Sequence, residues 1–170
     1  MKRAAVILCM DIGLAALLMP LAIPNRVQIV YNPSDSVARG WYRIGSTDSL
    51  TVGSIVLARL PAPAAALAAQ RGYLPNGIPL LKRIGAVAPQ RVCVDGTSVR
   101  IDDVAVDAVI GTDGRGRPLL AWKQCRRLAD GELFLLSNTN PASFDSRYFG
   151  PIRASDVIGG AQPIWTWSTS

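Results

Sequence analysis

Two serines on a short polar turn are the first residues of this sequence whose types could do chemistry. Residues 32–36 read Asn-Pro-Ser-Asp-Ser, and a strand-like segment, residues 41–44, follows them. Asn, Pro, Ser and Asp are ordinary turn residues and require no function. A turn can also present a serine hydroxyl as a nucleophile, which needs a base beside it. The meaning of Ser34 and Ser36 therefore depends on finding that base.

The base cannot be a histidine, because none of the 170 residues is one. This absence excludes Ser-His-Asp and Cys-His catalysis and histidine metal sites. A lysine can serve instead, since full burial lowers its pKa by up to ~3–5 units, whereas arginine keeps its proton. The chain has three lysines against fifteen arginines, and only Lys82 lies in an apolar segment, residues 78–84. The residues thus nominate a Ser–Lys dyad of Lys82 with Ser34 or Ser36; the alternative is an edge-strand lysine with a solvated head.

Short apolar segments between turn signals predict that a mainly β domain positions these residues. An alanine-rich stretch with a proline start and a glycine stop, residues 61–72, predicts a short helix. Residues 111–116 predict a turn or hairpin loop, because they lack the ending and the following helix of a phosphate loop. A polar stretch, residues 137–150, follows an apolar strand directly, where a site can be built. The predicted strands are 27–31, 41–44, 54–60, 79–87, 91–95, 98–101, 104–110, 132–136 and 157–165.

A mainly apolar run, residues 4–23, precedes this domain and is long enough to span a bilayer. Asp11 near its centre costs roughly 2.5–3.5 kcal/mol on insertion scales, and the Leu, Ile and Val residues of the run return about 3–5 kcal/mol. We expect an uncleaved membrane anchor; a cleaved signal peptide is the alternative. Lys2 and Arg3 are the only charges before the run, so the N-terminus is expected in the cytoplasm.

Three blocks of the sequence stand out together. They are Asn32-x-Ser34-x-Ser36-x-x-x-Gly40-x-Tyr42, Leu81-Lys82-Arg83-Ile84 and Ser143-x-Asp145-Ser146-Arg147-Tyr148-Phe149-Gly150-Pro151. In type and order they resemble the serine–lysine signal peptidases, and within them the TraF-type conjugative transfer peptidases. The last block is the most specific. Two departures concern turns: Ala38 stands where the family usually has proline, and residues 88–90, Ala-Pro-Gln, stand where it usually has Pro-Gly-Asp.

The resemblance implies a catalytic role for three residues. Ser36 would be the nucleophile. Lys82 would be the general base and later the acid that protonates the leaving amine. The backbone N–H of Ser36 and the hydroxyl of Ser34 would form the oxyanion hole.

The resemblance also implies supporting residues and a fold. Ser143 would hydrogen-bond the Lys82 amine and aim it, while Asp145 and Arg147 would form an ion pair that braces their loop. The implied fold is a mainly β, signal-peptidase-like β-barrel with one N-terminal transmembrane helix and a short additional helix. No cofactor and no metal are implied.

The expected function is that of a membrane-anchored serine endopeptidase that removes signal peptides or matures pilin-like subunits of a conjugative type IV secretion system. Its substrate would be a preprotein or propilin with small residues at −1 and −3, bound as an extended strand. A general type I signal peptidase is the nearer alternative. A catalytically silent periplasmic scaffold protein of the conjugation apparatus is the alternative of another class.

The expected location is the bacterial inner membrane, with an anchor, residues 1–25, and a periplasmic peptidase domain, residues 26–170. Inner-membrane lipid and other conjugation proteins are the expected partners. Nucleic acid is not, because the basic residues behind the net charge of +6 are scattered singly. Outside the cytoplasm a disulfide between Cys93 and Cys125 is permitted; two independent buried thiols are the alternative.

Overall fold

The computed structural model describes residues 7–14, 28–48, 50–137 and 139–167, and strands are their main regular structure. Residues 7–14 are helical (α1). The strands are β1 (Gln28–Asn32), β2 (Arg39–Ile44), β3 (Ile55–Ala58), β4 (Leu80–Val87), β5 (Arg91–Val94), β6 (Ser98–Ile101), β7 (Val104–Ala108), β8 (Cys125–Arg127), β9 (Glu132–Leu136), β10 (Ile152–Arg153) and β11 (Val157–Trp167). The other helices are α2 (Ala62–Arg71), α3 (Ser146–Phe149) and a 3-10 turn (Ala154–Asp156).

These strands form two antiparallel sheets, which confirms the prediction of a mainly β fold. The larger sheet has the order β1-β2-β11-β3-β4-β9-β10, and the smaller has the order β7-β6-β5-β8. The described strands of the larger sheet end at β1 and β10, so they form an open sheet, whereas the resemblance implied a β-barrel. Strand β10 pairs over two residues only, which leaves little edge for a further ladder.

Strands β4 and β9 lie between two hydrophobic cores, and this position explains their nearly continuous apolar sequences. On one side Ile84 and Leu135 pack in a core with Val56. On the other side Ala86 and Phe134 pack in a core that belongs to the smaller sheet. A strand buried on both faces cannot alternate polar and apolar residues. The centre of the larger sheet, which carries Lys82 on β4, is therefore buried on both faces.

Helix α2 has the boundaries that its sequence predicts. It begins after Pro61, with a second proline in its first turn, because proline needs no N–H partner there. It ends at Gly72, which has a φ of 71° in the left-handed region that glycine tolerates. The helix carries no catalytic candidate, but its C-terminal end lines the cleft described below.

Much of the N-terminal segment is outside the described residues. Within the ranges given above, the structure contains no helix with the length and apolar character needed to cross a membrane. The predicted anchor, residues 4–23, and the boundary at residue 25 fall largely on residues that are not described. The anchor therefore stays a prediction.

The two cysteines of the smaller sheet are joined. Strand β8, which has only three residues and no apolar pattern to reveal it, pairs with β5 and brings Cys125 opposite Cys93. The structure links them by a disulfide across 32 positions of sequence. The alternative of two independent buried thiols does not match this arrangement, since Cys125 lies in an exposed position.

Candidate active site

The turn that carries the two serines lies between β1 and β2, and the buried side chain of Asn32 organises it. Its Nδ2 donates to the carbonyl oxygens of Ser34 at 2.9 Å and of Val37 and Ala38 at 3.2 Å. Its Oδ1 accepts from the N–H of Ser34 at 3.1 Å and from the hydroxyl of Ser34 at 2.8 Å. The three carbonyls fix which end of the amide is the donor. The turn therefore has a defined shape in which Ser36 is half-buried.

Lys82 lies on β4, and its amine meets the hydroxyl of Ser36. The Nζ atom donates to Ser36 Oγ at 2.7 Å and makes a short hydrogen bond to Ser143 Oγ. The two hydroxyl oxygens are themselves 3.2 Å apart. Strand β4 lies between β3 and β9, and Lys82 is only 3% exposed. The alternative of an edge-strand lysine with a solvated head is therefore wrong.

Burial makes Lys82 a much weaker base than a surface lysine. Desolvation lowers its pKa from 10.5 to about 8, because the low-dielectric interior disfavours the ammonium form. The negative charge of Asp145 raises this pKa, and the positive charge of Arg147 lowers it. At neutral pH an appreciable fraction of the amine is therefore unprotonated, about a tenth at one unit below the pKa.

Asp145 and Arg147 form a fully buried ion pair beside the amine. Arg147 donates from Nε to Asp145 Oδ1 and from Nη2 to Asp145 Oδ2, both at 2.8 Å. The same Nη2 donates to the backbone oxygen of Ser143 at 3.1 Å. Arg147 also contacts Asp107 Oδ2 on β7 at 3.1 Å, which ties the smaller sheet to the site. The pair thus holds the loop from which Ser143 reaches Lys82.

A cleft of about 960 Å³ opens onto these groups. The edge strand β1, the serine turn and the loop 140–144 contribute to its walls. The C-terminus of α2 and the hairpin 111–116 form one end of the cleft, which is basic because Arg71, Arg115 and Arg117 line it. Arg117 pairs with Asp113 of the hairpin at 2.7 Å. Much of the remaining lining is apolar, namely Val30, Leu57, Leu60, Leu74, Leu80 and Leu81. The cleft can hold an extended peptide with its backbone near Ser36.

Comparison with known proteins decides the family. The family described as signal peptidase, peptidase S26, matches residues 1–167. The chain belongs to this family.

Proteins named for conjugal transfer are among the relatives of this chain. A probable conjugal transfer protein TraF of Sinorhizobium fredii (strain NBRC 101917 / NGR234) is 37% identical over 147 residues, which cover 81% of this chain and 77% of that protein. A conjugal transfer protein TraF of Agrobacterium tumefaciens (strain 15955) is 31% identical over 176 residues, which cover 98% and 97%. A crystal structure of a signal peptidase I from Enterococcus faecalis V583 aligns with a TM-score of 0.41 and 20% identity, over 66% of this chain and 97% of that one.

The structure of this signal peptidase relative brings together the residues proposed from the sequence, with one qualification. Ser36, Lys82 and Ser143 are in mutual hydrogen-bond contact, and the Asp145–Arg147 pair supports them. Ser34 lies on the same turn, but its hydroxyl donates to Asn32. Its part in an oxyanion hole would require that hydroxyl to rotate.

Four supporting residues were not found from the sequence. Asn32 holds the turn, Asp107 contacts the buried arginine, and the hydroxyls of Ser137 and Thr139 donate to backbone oxygens of the serine turn. Asn32 carried a signal, since Asn before Pro-Ser commonly closes a turn with its side chain. The two hydroxyls lie in the polar stretch after β9 that was expected to build a site. Asp107 carried no signal, because only the packing of the two sheets brings it close.

Proposed function

We propose that this protein is a serine endopeptidase that uses Ser36 as nucleophile and Lys82 as general base. The observation that supports it most directly is the 2.7 Å contact between Ser36 Oγ and the Nζ of a lysine whose burial lowers its pKa to about 8. A base with a pKa near the working pH combines a populated basic form with a useful driving force. Family membership makes the peptidase class the expected one.

In the first half of the reaction the neutral Lys82 amine takes the Ser36 hydroxyl proton. Ser36 Oγ forms a bond to the scissile carbonyl carbon, and the carbonyl electrons move onto its oxygen. The backbone N–H of Ser36 stabilises that oxyanion; within the described part of the chain it donates to no other acceptor. The Ser34 hydroxyl adds a second donor when it turns away from Asn32.

In the second half the Lys82 ammonium gives its proton to the departing amine, and the carbon–nitrogen bond breaks. The product is an ester on Ser36. Lys82 then takes a proton from water, whose oxygen forms a bond to the ester carbon. Lys82 returns that proton to Ser36 Oγ as the ester C–O bond breaks and the new carboxyl terminus leaves. Ser143 holds the Lys82 amine in position for these proton transfers, because its hydroxyl contacts both Lys82 Nζ and Ser36 Oγ.

The substrate we propose is an extended peptide that lies in the cleft along the edge strand β1. An exposed edge offers unpaired backbone groups to a peptide, while pockets below it select alternate side chains. The apolar lining next to Ser36 favours small, uncharged residues at −1 and −3. The names of the relatives concern conjugal transfer. We therefore propose a pilin-like conjugation subunit as the substrate, ahead of general preproteins.

We propose that the protein works at the outer face of the bacterial inner membrane, anchored by residues 4–23. An exposed aromatic face on β1, β2 and β11 supports this location: Trp41 lies between Tyr31 and Trp165 in the register of the sheet. Trp and Tyr rings are enriched at membrane–water interfaces. Strand β1 follows the apolar run within a few residues and leads straight into the Ser36 turn. The disulfide fits a compartment that is not reducing.

Paired substitutions test the dyad. Ser36→Ala and Lys82→Arg should each abolish cleavage of a peptide that spans an Ala-x-Ala site, while both variants keep the far-UV spectrum of the parent. Lys123→Arg is the matched control, because Lys123 is exposed and away from the cleft-lining residues. It should leave turnover unchanged. Near-parental turnover by Lys82→Arg would sink the dyad, because arginine keeps the charge but cannot accept the proton.

Two further measurements test the biological setting. If the Ser36→Ala chain supported conjugal transfer as well as the parent, the silent-scaffold alternative would be favoured. For topology, a reporter that is active only in the cytoplasm should be silent when fused after Ser170. A bright reporter would reverse the proposed orientation.

A further inference from the structure

Two hydroxyls from the loop after β9 hold the backbone of the serine turn. Thr139 Oγ1 donates to the carbonyl oxygen of Asp35, and Ser137 Oγ donates to the carbonyl oxygen of Ser36 at 2.8 Å. The contacts join segments about a hundred positions apart in sequence. Neither hydroxyl touches the side chain of Ser36. Their targets are the two peptide units on either side of that residue.

The contact from Thr139 fixes the direction of the Ser36 N–H. In a trans peptide the carbonyl of one residue and the N–H of the next share a plane and point in opposite directions. A hydrogen bond that draws the Asp35 carbonyl towards Thr139 therefore points the Ser36 N–H away from Thr139. Asp35 and Ser36 line the peptide cleft, whereas Thr139 and Ser137 line a separate cavity of about 380 Å³. The N–H consequently faces the cleft.

We propose that Thr139, assisted by Ser137, is a positioning residue for the oxyanion-binding N–H of Ser36. This inference rests on the proposed peptidase function and adds the residue that orients its backbone donor. If the Asp35–Ser36 peptide flipped, the N–H would leave the hole. The Asp35 carbonyl oxygen would then point at the developing negative charge and repel it.

The hydrogen bond from Thr139 is not the sole restraint on this peptide, and this sets the expected size of its effect. A flip would also drive Ser36 towards a positive φ, which residues other than glycine adopt only at a cost. Loss of a whole oxyanion donor lowers kcat by about 10²–10³. Loss of one restraining hydrogen bond shifts a conformational equilibrium by a factor of only about 2–10. We therefore expect loss of the Thr139 hydroxyl to lower kcat by the smaller factor, because it weakens binding of the transition state and not binding of the substrate in its ground state.

Threonine variants of the full chain test the proposal. Thr139→Val removes the hydroxyl and keeps the shape, Thr139→Ser keeps the hydroxyl, and Thr47→Val is the control on an exposed loop position. We would measure kcat and KM on the Ala-x-Ala peptide, together with the affinity for a peptide aldehyde that forms a tetrahedral adduct with Ser36. Thr139→Val should lower kcat and aldehyde affinity by the same factor, about 2–10, with KM within twofold. Thr139→Ser and Thr47→Val should match the parent.

Two results would overturn the proposal. One is parental kcat and aldehyde affinity in Thr139→Val. The other is an equal loss of substrate binding and thermal stability, which indicates a general structural role. Ser36→Ala is assayed in parallel: if it stays active, the peptidase proposal itself has failed, whereas an inactive Ser36→Ala beside a parental Thr139→Val refutes only the positioning role. If Thr139→Val does not fold, the same comparison is made between Thr139→Ala and Thr139→Ser.

Discussion

Replacement of Lys82 by methionine should abolish cleavage and at the same time stabilise the fold at neutral pH. The pKa of Lys82 is about 8 in the folded chain and 10.5 for an unperturbed lysine. Each unit of difference corresponds to 1.36 kcal/mol, so the buried ammonium costs about 3 kcal/mol at pH 7. Methionine has a similar volume and carries no charge. The hydroxyls of Ser36 and Ser143, 3.2 Å apart, can bond each other once the amine is gone.

The gain should depend on pH in a defined direction. Between about pH 8 and 10.5 the unfolded chain holds a proton on Lys82 that the folded chain has already lost. The stability of the parent therefore rises with pH through this window. The ammonium penalty falls from about 3 kcal/mol at pH 7 to about 2 kcal/mol at pH 9 and below about 1 kcal/mol at pH 10. After subtraction of about 1 kcal/mol for each net hydrogen bond lost, the variant should be more stable by about 1–2 kcal/mol at pH 7.

Denaturant unfolding of the purified full chain in mild detergent, followed by far-UV circular dichroism at pH 7, 9 and 10, measures this difference. The difference in the free energy of unfolding between the parent and Lys82→Met removes the contribution of the other titrating groups, because both chains share them. Lys123→Met is the matched control, because it removes a lysine at an exposed position. If Lys82→Met is less stable than the parent at pH 7, or if the difference is the same at pH 7 and 10, the lysine does not carry the burial penalty on which the reasoning rests.

The remaining predictions concern rate and covalent structure. The kcat/KM of the parent should rise about tenfold per unit up to a pKa of about 8 for Lys82 and level off above it; a profile flat from pH 6 to 9 would contradict a lysine base. Ser34→Ala should lower kcat by about 10²–10³ with little change in KM if its hydroxyl serves the oxyanion, and a change within threefold would leave it as a turn residue. Ser143→Ala should lower kcat by about 10–100, since it removes a hydrogen bond to a group that becomes charged. Reduction of the Cys93–Cys125 bond should lower the free energy of unfolding by about 3–4 kcal/mol in the chain-entropy model; alkylation of both thiols in unreduced protein would show that no bond forms.

Helix α2 and most strands could be predicted because the residues that specify each of them are close together in the sequence. Helix α2 has proline at its start and glycine at its end, and both act through their own backbone. Most strands were found from β-branched and apolar runs, with errors of a few residues at their ends. Strands β8 and β10 were missed, since two or three residues have no period, and their partners in the sheet make them strands.

The chemistry of the site could be predicted only in part, for a related reason. An absent histidine and one lysine in an apolar segment are visible in sequence, and they led to Lys82. The residues that hold backbone groups in place left weaker signals. Thr139 matters through a carbonyl 104 positions away, and Asp107 on β7 matters through the side chain of Arg147 in α3. Such contacts depend on the packing of the sheets and not on residue type.

The buried Asp145–Arg147 ion pair allows a carboxylate to hold the Ser143 loop without a strong rise in the pKa of Lys82. The loop that carries Ser143 needs acceptors for the backbone N–H groups of Ser137 and Arg147, and Asp145 supplies them. A lone buried carboxylate next to Lys82 would favour the ammonium form and remove the base. The Arg147 guanidinium opposes that effect, as the opposite directions of the two charges on the Lys82 pKa indicate. Burial can therefore lower the pKa of the Lys82 amine to about 8 while a carboxylate stays close enough to hold the loop.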